Sequence, residues 1–241
     1  MEFVKFRLRF QKTGLLRLVS HHDLMRVLER MLRRARLPFR STSGFHPLPR
    51  VIFALSLPLG VEGLHEVVEI ELTEPMDASS VLSRIQAQSP DGLTFLSIRE
   101  VAKNASAQVR QAGYSIDVPP ERTDELSHRC KQLLAQSSCI SRREKPHARD
   151  VDIRPYMIDL RVDGSSLKLD FLVTANGTAR ADEVLKLLDA SDLLEQGFIL
   201  SRTHLHLHEE IEQTGAAPAA VSSGISEFSG AVLITDLRMN S

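Results

Sequence analysis

The stretch Phe3-Val-Lys-Phe-Arg-Leu-Arg-Phe10 decides the first element of the fold. Its apolar and basic residues alternate, with the apolar positions at Val4, Phe6, Leu8 and Phe10. Successive side chains of an extended chain point to opposite faces, so a period of two predicts a half-buried β-strand.

The segment after this strand has the period of a helix. Apolar residues recur at spacings of three and four, at Leu24, Val27, Leu28, Met31, Leu32 and Ala35. Ser20 precedes the pattern, and Asp23 stands where a capping box usually has Glu. We therefore predict a helix over about 21–36, ended by Pro38.

Further periodic segments extend the pattern to residue 101. They predict strands at 51–57, 65–72 and 93–101 and a helix at 78–88. The resulting order is β-α-β-β-α-β. Because this order is that of the ferredoxin-like unit, we expect an antiparallel four-stranded sheet with both helices on one face.

The same order returns in the second half of the chain. A polar linker is expected over 102–111, followed by a strand at 113–118, a helix at 121–136, strands near 150–162 and 166–173, a helix at 179–190 and a strand at 197–208. The stretch 137–149 has no clear period. The predicted fold is α+β, with one ferredoxin-like domain at 1–103 carrying the basic first helix, a second at 112–208, and a low-complexity, flexible tail at 209–241.

The amino-acid composition excludes several classes of protein. The chain has 241 residues, 42% hydrophobic and 25% charged, which excludes a disordered, collagen-like or disulfide-built protein. Two cysteines, Cys130 and Cys139, cannot build a disulfide framework, so a reducing cytoplasmic compartment is expected. We recognise no signal peptide and no apolar run near the roughly 20 residues that span a bilayer, so we expect no membrane anchor.

The near-zero net charge of -1 hides a strong asymmetry. Residues 1–50 contain 12 Lys or Arg and three acidic residues, a net of +9, so the remaining 191 residues carry -10. Such a basic end favours a polyanion such as nucleic acid, although a solvated face or a dock for an acidic protein fits the same charge.

The predicted first helix concentrates this basic charge. Arg26, Arg30 and Arg33 form one ridge, with Arg34 and Arg36 beside it. Guanidinium groups in a row suit bidentate contacts with phosphate, and the alternative is a solvated helix face. At the helix start, a candidate anion site is formed by Arg17, Ser20, His21 and His22.

A loop rich in Gly and Pro follows this helix. Pro47 and Pro49 restrict its backbone, Gly44 permits a turn, and Phe45, His46 and Arg50 are candidates for exposed positions. Phe45 either stacks on a base, with Arg50 on a phosphate, or fills the core beneath the loop.

The last predicted strand carries three histidines at alternate positions. His204, His206 and His208 are expected on one face together with Arg202, where they can either bind zinc or iron or form a polar sheet surface. We find no catalytic carboxylate pair, phosphate-binding glycine loop or GxSxG elbow. We therefore expect no cofactor and no self-sufficient active site.

Several motifs in order resemble the radical-SAM-linked protein family, a bacterial domain of unknown function. They are Val19-Ser-His-His-Asp-Leu-Met-Arg26, Leu32-Arg-Arg-Ala-Arg-Leu-Pro38, Ser43-Gly-Phe-His-Pro-Leu-Pro-Arg50 and Leu57-Pro-Leu-Gly60 followed by Glu66. Looser matches follow at Arg149-Asp-Val-Asp-Ile-Arg-Pro-Tyr156, Gly177-Thr-Ala-Arg-Ala-Asp-Glu-Val-Leu185 and Ser201-Arg202. Members of that family occur beside, or fused to, a radical SAM enzyme with a B12-binding domain.

The resemblance implies association with such an enzyme, and with RNA or a ribosomal particle as substrate. Our leading hypothesis is a non-catalytic adaptor that binds RNA through Arg17, Ser20, His21, Arg26, Arg30, Arg33, Arg34 and Arg50. One alternative is a stand-alone RNA-processing or RNA-modifying enzyme that uses His21 or His46 as acid and base. The other is a structural subunit that docks an acidic partner protein.

Overall fold

The structure is a computed structural model that describes residues 3–43, 45, 47–144 and 147–210. These residues divide into two compact units between Gln108 and Val109. Each unit combines helices with an antiparallel sheet, so the predicted α+β class is confirmed. Most of the predicted tail, from residue 211 onward, lies outside the described residues. No helix in the described part of the chain has the length and apolar character needed to cross a membrane.

The described part of the first unit contains four strands, two α-helices and a 3-10 helix at Gly14–Leu18. Their bounds are β1 Val4–Lys12, α1 His21–Arg34, β2 Val51–Phe53, β3 Glu62–Leu72, α2 Ala78–Gln86 and β4 Leu93–Val101. The strands lie in the order β4-β1-β3-β2, and each neighbouring pair is antiparallel. β2 is shorter than the predicted 51–57, because the chain bends at residues 54–55, ahead of a turn at Gly60, whose φ of 83° is left-handed.

The core of this unit lies between the sheet and both helices. Phe6, Leu8 and Phe10 of β1 face it, as the alternation predicted. The helices contribute their apolar stripes, at Leu24, Leu28, Met31 and Leu32 of α1 and at Val81, Leu82 and Ile85 of α2. Burial of these side chains is the main favourable term that fixes α1 on the sheet.

The other face of β1 is buried too, which corrects the prediction of a half-buried strand. Lys5 and Arg7 are both buried and share the carboxylate of Glu69 on β3. Arg7 donates from Nε and Nη2 to Glu69 Oε1 at 2.9 and 2.7 Å, and Lys5 Nζ lies 2.7 Å from Oε2. A charge removed from water needs such a partner, so Glu69 makes the buried basic face possible.

The second unit repeats the strand order of the first. Its elements are β5 Val109–Asp117, α3 Thr123–Ala135, β6 Ile140–Arg143, β7 Arg149–Asp152, β8 Met157–Asp163, β9 Ser166–Leu172, α4 Ala181–Leu187, α5 Asp192–Glu195 and β10 Ser201–Leu207. Its main sheet runs β10-β5-β9-β8, again antiparallel. β6 and β7 form a separate two-stranded hairpin.

Three predictions in this half were wrong in detail. The expected linker 102–111 ends early, because β5 begins at Val109, where Val109 and Ala112 are buried. The strand expected over 150–162 is two strands, separated by a 3-10 turn at Arg154–Tyr156 that contains Pro155. The last strand begins at Ser201 rather than at 197.

The hairpin of β6 and β7 is fixed to α4 by a buried ion pair. Arg143 donates from Nε and Nη2 to the two carboxylate oxygens of Glu183, at 2.6 and 2.8 Å. Its Nη2 also donates to the carbonyl of Thr178 at 2.8 Å, and both charged side chains are 8% exposed. The bidentate geometry compensates for the desolvation of the two charges.

Candidate polyanion-binding surface

Helix α1 presents its basic residues on the side opposite to the core. Its apolar stripe is buried, whereas Arg26, Arg30, Arg33 and Arg34 are exposed. We call these four residues the arginine face. As the helical period predicted, α1 is amphipathic: its apolar side chains pack on the sheet and its guanidinium groups face solvent.

Most contacts of the arginine face are weak, although Arg33 also stacks over the ring of Phe39, 5.1 Å from the ring centroid. Arg26 lies 3.4 Å from Asp23, and Arg33 lies 3.1 Å from Glu29, in exposed pairs within one helix. Arg30 and Arg34 donate to backbone carbonyls, those of Arg26 at 3.3 Å and Gln88 at 3.2 Å. Exposed pairs of this kind contribute little free energy and exchange readily with another anion. Four guanidinium groups against two carboxylates leave this helix with a positive surface.

The start of α1 is already occupied by its own side chains. Ser20 Oγ accepts a hydrogen bond from the Asp23 backbone N–H at 3.1 Å and donates to the Asp23 carboxylate at 2.7 Å. Asp23 thus supplies a negative charge to the helix N-terminus. Of the other residues predicted there, Arg17 donates to the carbonyl of Gly14, and His22 is exposed.

His21 makes a packing contact. Its ring meets the ring of Phe53 edge-on, with the centroids 4.8 Å apart. This contact joins the first turn of α1 to β2. It leaves His21 half-buried.

The loop between α1 and β2 is a hairpin from Arg40 to Arg50. The Thr42 N–H donates to the carbonyl of Leu48 at 2.8 Å, and the Leu48 N–H donates to Thr42 Oγ1 at 3.1 Å. The Arg50 N–H donates to the carbonyl of Arg40 at 2.9 Å. Pro49 is buried, whereas Pro47 is exposed. The loop is therefore fixed at its base by backbone hydrogen bonds.

Phe45 stands at the tip of this hairpin with a relative accessible area of 102%. The alternative in which Phe45 fills the core beneath the loop is thus wrong. The reason is that the base of the loop is closed by its own hydrogen bonds and by Pro49, which leaves the tip outside the core. The predicted loop residues Gly44 and His46 lie outside the described residues.

Arg50 is anchored from below by a buried carboxylate. Arg50 Nε lies 3.4 Å from Glu71 Oε2, which also accepts from Arg40 Nη1 at 2.8 Å. Arg40 further stacks over the ring of Phe3, 4.4 Å from the ring centroid. Arg40 was not among the residues predicted for this surface. The hairpin places it beside Arg50, and the periodicity of the sequence does not predict that hairpin.

Lys12 is a second residue that the prediction missed. It is buried, and its Nζ donates to the carbonyl of Val19 at 2.7 Å, next to the start of α1. Burial lowers the pKa of Lys12, and Glu66 partly offsets that shift. The sequence did contain a signal for the burial of Lys12. This residue follows Phe6, Leu8 and Phe10 at the same period of two, which places it on the apolar face of β1.

The histidines of the second unit form a polar patch on β10. His204 and His206 stack with ring centroids 4.6 Å apart, and His204 Nε2 lies 3.2 Å from Asp170 Oδ1, while His208 is exposed. Within the described ranges, no three His, Cys, Asp or Glu side chains gather in a way that could hold a metal ion.

Arg202 does not share the face of these histidines, which corrects the prediction. The register of β10 against β5 shifts between Arg202 and His204, so the alternation changes phase there. Arg202 is accordingly buried, as are Leu205 and Leu207, and its Nη1 lies 3.5 Å from the hydroxyl of Tyr114.

Fold and surface together define a two-unit α+β protein with a basic helix face in its first unit. The chain belongs to a family described as an uncharacterized protein conserved in bacteria (DUF2344), whose model matches residues 5–182. No curated protein matches the chain. Among solved structures, it is similar to the crystal structure of an unknown protein from Galdieria sulphuraria, at 12% identity and a TM-score of 0.28, over 86% of this chain and 99% of that chain.

Proposed function

We propose that this protein is a non-catalytic accessory subunit that binds RNA through the arginine face and serves a radical SAM enzyme. The observation that carries the RNA part is the exposure of four arginines on one side of α1, whose ion pairs with Asp23 and Glu29 another anion can replace. RNA presents regularly spaced phosphates, and a row of guanidinium groups can bind them with bidentate geometry.

The hairpin loop extends this basic surface. Arg33 Nη2 donates to the carbonyl of Pro47 at 3.2 Å, so the loop contacts the arginine face directly. Arg50, 40% exposed at its side chain, adds a further guanidinium group at the base of the hairpin. The 14 residues of α1 span about 21 Å at 1.5 Å per residue, so the helix and the base of the loop can contact several phosphates of one backbone.

The radical SAM part of the proposal rests on the sequence motifs. A radical SAM enzyme holds its iron–sulfur centre with a cluster of cysteines, whereas this chain has two cysteines in all, Cys130 and Cys139. The radical chemistry would therefore belong to a partner with a B12-binding domain. We also take both units as ferredoxin-like, since each has four antiparallel strands in the order expected of a βαββαβ unit.

The test compares two variants that lose the same charge. One carries Arg26→Gln, Arg30→Gln and Arg33→Gln on the arginine face. The matched control carries Arg84→Gln, Lys131→Gln and Lys186→Gln, which are exposed positions on other helices. RNA binding is measured by fluorescence anisotropy along a salt series, and circular dichroism verifies that each variant is folded.

We expect the arginine-face variant to bind RNA at least about tenfold more weakly at low salt, because three charge-assisted contacts are lost. Its slope of log K against log salt should fall by about 2, at roughly 0.7 for each phosphate contact of a single strand. The control should keep the slope of the unmodified protein. Equal binding by both variants would overturn the proposal, and so would loss of binding to an acidic protein with RNA binding intact.

A further inference from the structure

The hairpin loop exposes two large apolar side chains to different extents. Phe45 has a relative accessible area of 102%, and Leu48 has one of 47%. Phe45 therefore gains nothing from burial, in contrast to Phe6 and Phe10, which lie in the core. An aromatic ring presented in this way is available to a ligand.

The ring is presented by a loop with a fixed base. Backbone hydrogen bonds join Thr42 to Leu48 at 2.8 Å and Arg50 to Arg40 at 2.9 Å. The Arg40 N–H in turn donates to the carbonyl of Glu71 at 2.7 Å, which ties the hairpin to β3. Fewer conformations are then lost when a ligand binds at the tip, so less free energy is spent on ordering the loop.

The same loop is in contact with a phosphate-binding group. Pro47, whose carbonyl lies 3.2 Å from Arg33 Nη2, is two residues from Phe45, and two residues span at most about 7 Å of backbone. This limit applies to the backbone, and it places Phe45 on the loop that touches the arginine face. An aromatic ring and guanidinium groups carried by one loop and the helix it contacts can bind the base and the phosphate of neighbouring nucleotides.

We infer that the surface selects single-stranded RNA, with the Phe45 ring as the platform on which one unpaired base stacks. This inference rests on the proposed function, since the arginine face supplies the phosphate contacts. In a duplex the bases are paired and stacked on each other, so their faces are closed to a side chain. The positive charge around the loop selects a nucleic acid over an apolar peptide as the occupant.

The first experiment measures affinity for two probes. One probe is a single RNA strand of about 12 nucleotides, within the usual site size of such proteins, and the other is the same strand in a blunt duplex. We expect the unmodified protein to prefer the single strand, and Phe45→Ala to lower that affinity roughly tenfold with little effect on the duplex. Leu48→Ala is the matched control, because it removes an exposed apolar side chain of the same hairpin that has no ring.

The second experiment detects stacking itself. The chain contains no tryptophan, so Phe45→Trp introduces a single indole at the tip of the loop. Stacking on a base should quench its fluorescence when the single strand is added, and the duplex should have little effect. Leu48→Trp reports how much quenching arises from proximity alone.

The outcomes separate the inference from the proposed function. RNA binding that depends on the arginine face but is unchanged in Phe45→Ala would overturn the stacking role and leave the proposed function standing. Binding that is indifferent to the arginine face would overturn both. A protein partner lost in Phe45→Ala while RNA binding is unchanged would overturn the inference and assign the ring to a protein contact.

Discussion

Replacing Glu183 by Gln should destabilise the second unit in a way that depends on pH. Glu183 accepts two hydrogen bonds from Arg143 and a third from the Arg180 backbone N–H at 3.0 Å. Glutamine has almost the same shape but no charge. The guanidinium of Arg143, which is 8% exposed, would then be buried without a compensating anion.

The size of the effect follows from this burial. Removing one partner of a buried ion pair costs about 3–5 kcal/mol in the free energy of unfolding. Since glutamine keeps one acceptor oxygen, we expect the lower end of that range, about 3 kcal/mol at neutral pH. For a unit of roughly 100 residues this corresponds to a fall in Tm of more than about 10 °C.

The pH dependence follows from the pKa of Glu183. Burial alone would raise this pKa, but the hydrogen bonds from Arg143 and from the Arg180 N–H outweigh it, so the pKa lies below its ordinary value of 4.5. A carboxyl whose pKa is lowered by folding stabilises the folded state above the unfolded pKa. That contribution disappears as the pH falls through the folded pKa. The two proteins should therefore differ most at pH 7, and the difference should shrink below pH 4.5.

Urea unfolding followed by circular dichroism at a series of pH values measures this difference. The variant Arg143→Met with Glu183→Leu serves as the control, because an apolar pair of similar volume often replaces a buried ion pair at little cost. The reasoning fails if Glu183→Gln costs under about 1 kcal/mol at pH 7, or if its cost is the same at every pH.

Two further predictions concern the second unit. Gly113→Ala should lower Tm, because a Cβ on Gly113 would overlap the ring of His204. Adding His204→Ala removes that ring and should restore most of the lost Tm. A double variant as unstable as the single one would contradict this. Burial raises the pKa of Cys130 to about 11 and also raises that of Cys139. Both thiols should therefore resist Ellman's reagent at pH 8 until urea unfolds the chain, and rapid labelling of the folded protein would refute this.

Local periodicity was enough to predict the elements that lie on the core. The alternation in β1 and the spacing of apolar residues in α1 describe how each element meets one apolar face, and the structure confirms both. The burial of Lys5 and Arg7 could not be predicted from the local sequence, because it depends on Glu69, more than 60 residues away. β6 was missed and β7 was merged with β8 into one predicted strand, because strands of four residues carry too little pattern.

The candidate site likewise contains some features that local periodicity predicts and others that depend on contacts between distant residues. The arginine face follows from helical periodicity and is visible in the sequence. The support of Arg50 by Glu71 is not visible, since it joins a loop to a strand that becomes its neighbour only in the folded unit. The change of phase in β10 that buries Arg202 is a shift in its register against β5, and no residue preference at Thr203 predicts it.

The motif residues of the chain fall into two physical groups. Some hold the backbone together: Arg154 donates to the carbonyls of Leu134 and Met157, and Asp152 accepts from the Cys139 and Arg154 N–H groups. Replacing these residues would damage the fold itself.

The second group lies within the motifs of the first unit and does little for the fold. Arg26 and Phe45 are exposed, and the fold gains almost nothing from the first and nothing by burial from the second. Stability therefore explains Arg154 and Asp152 but does not explain Arg26 and Phe45. The proposed binding of single-stranded RNA would give Arg26 and Phe45 a role, because guanidinium groups and aromatic rings are groups with which proteins hold the phosphates and bases of a single strand.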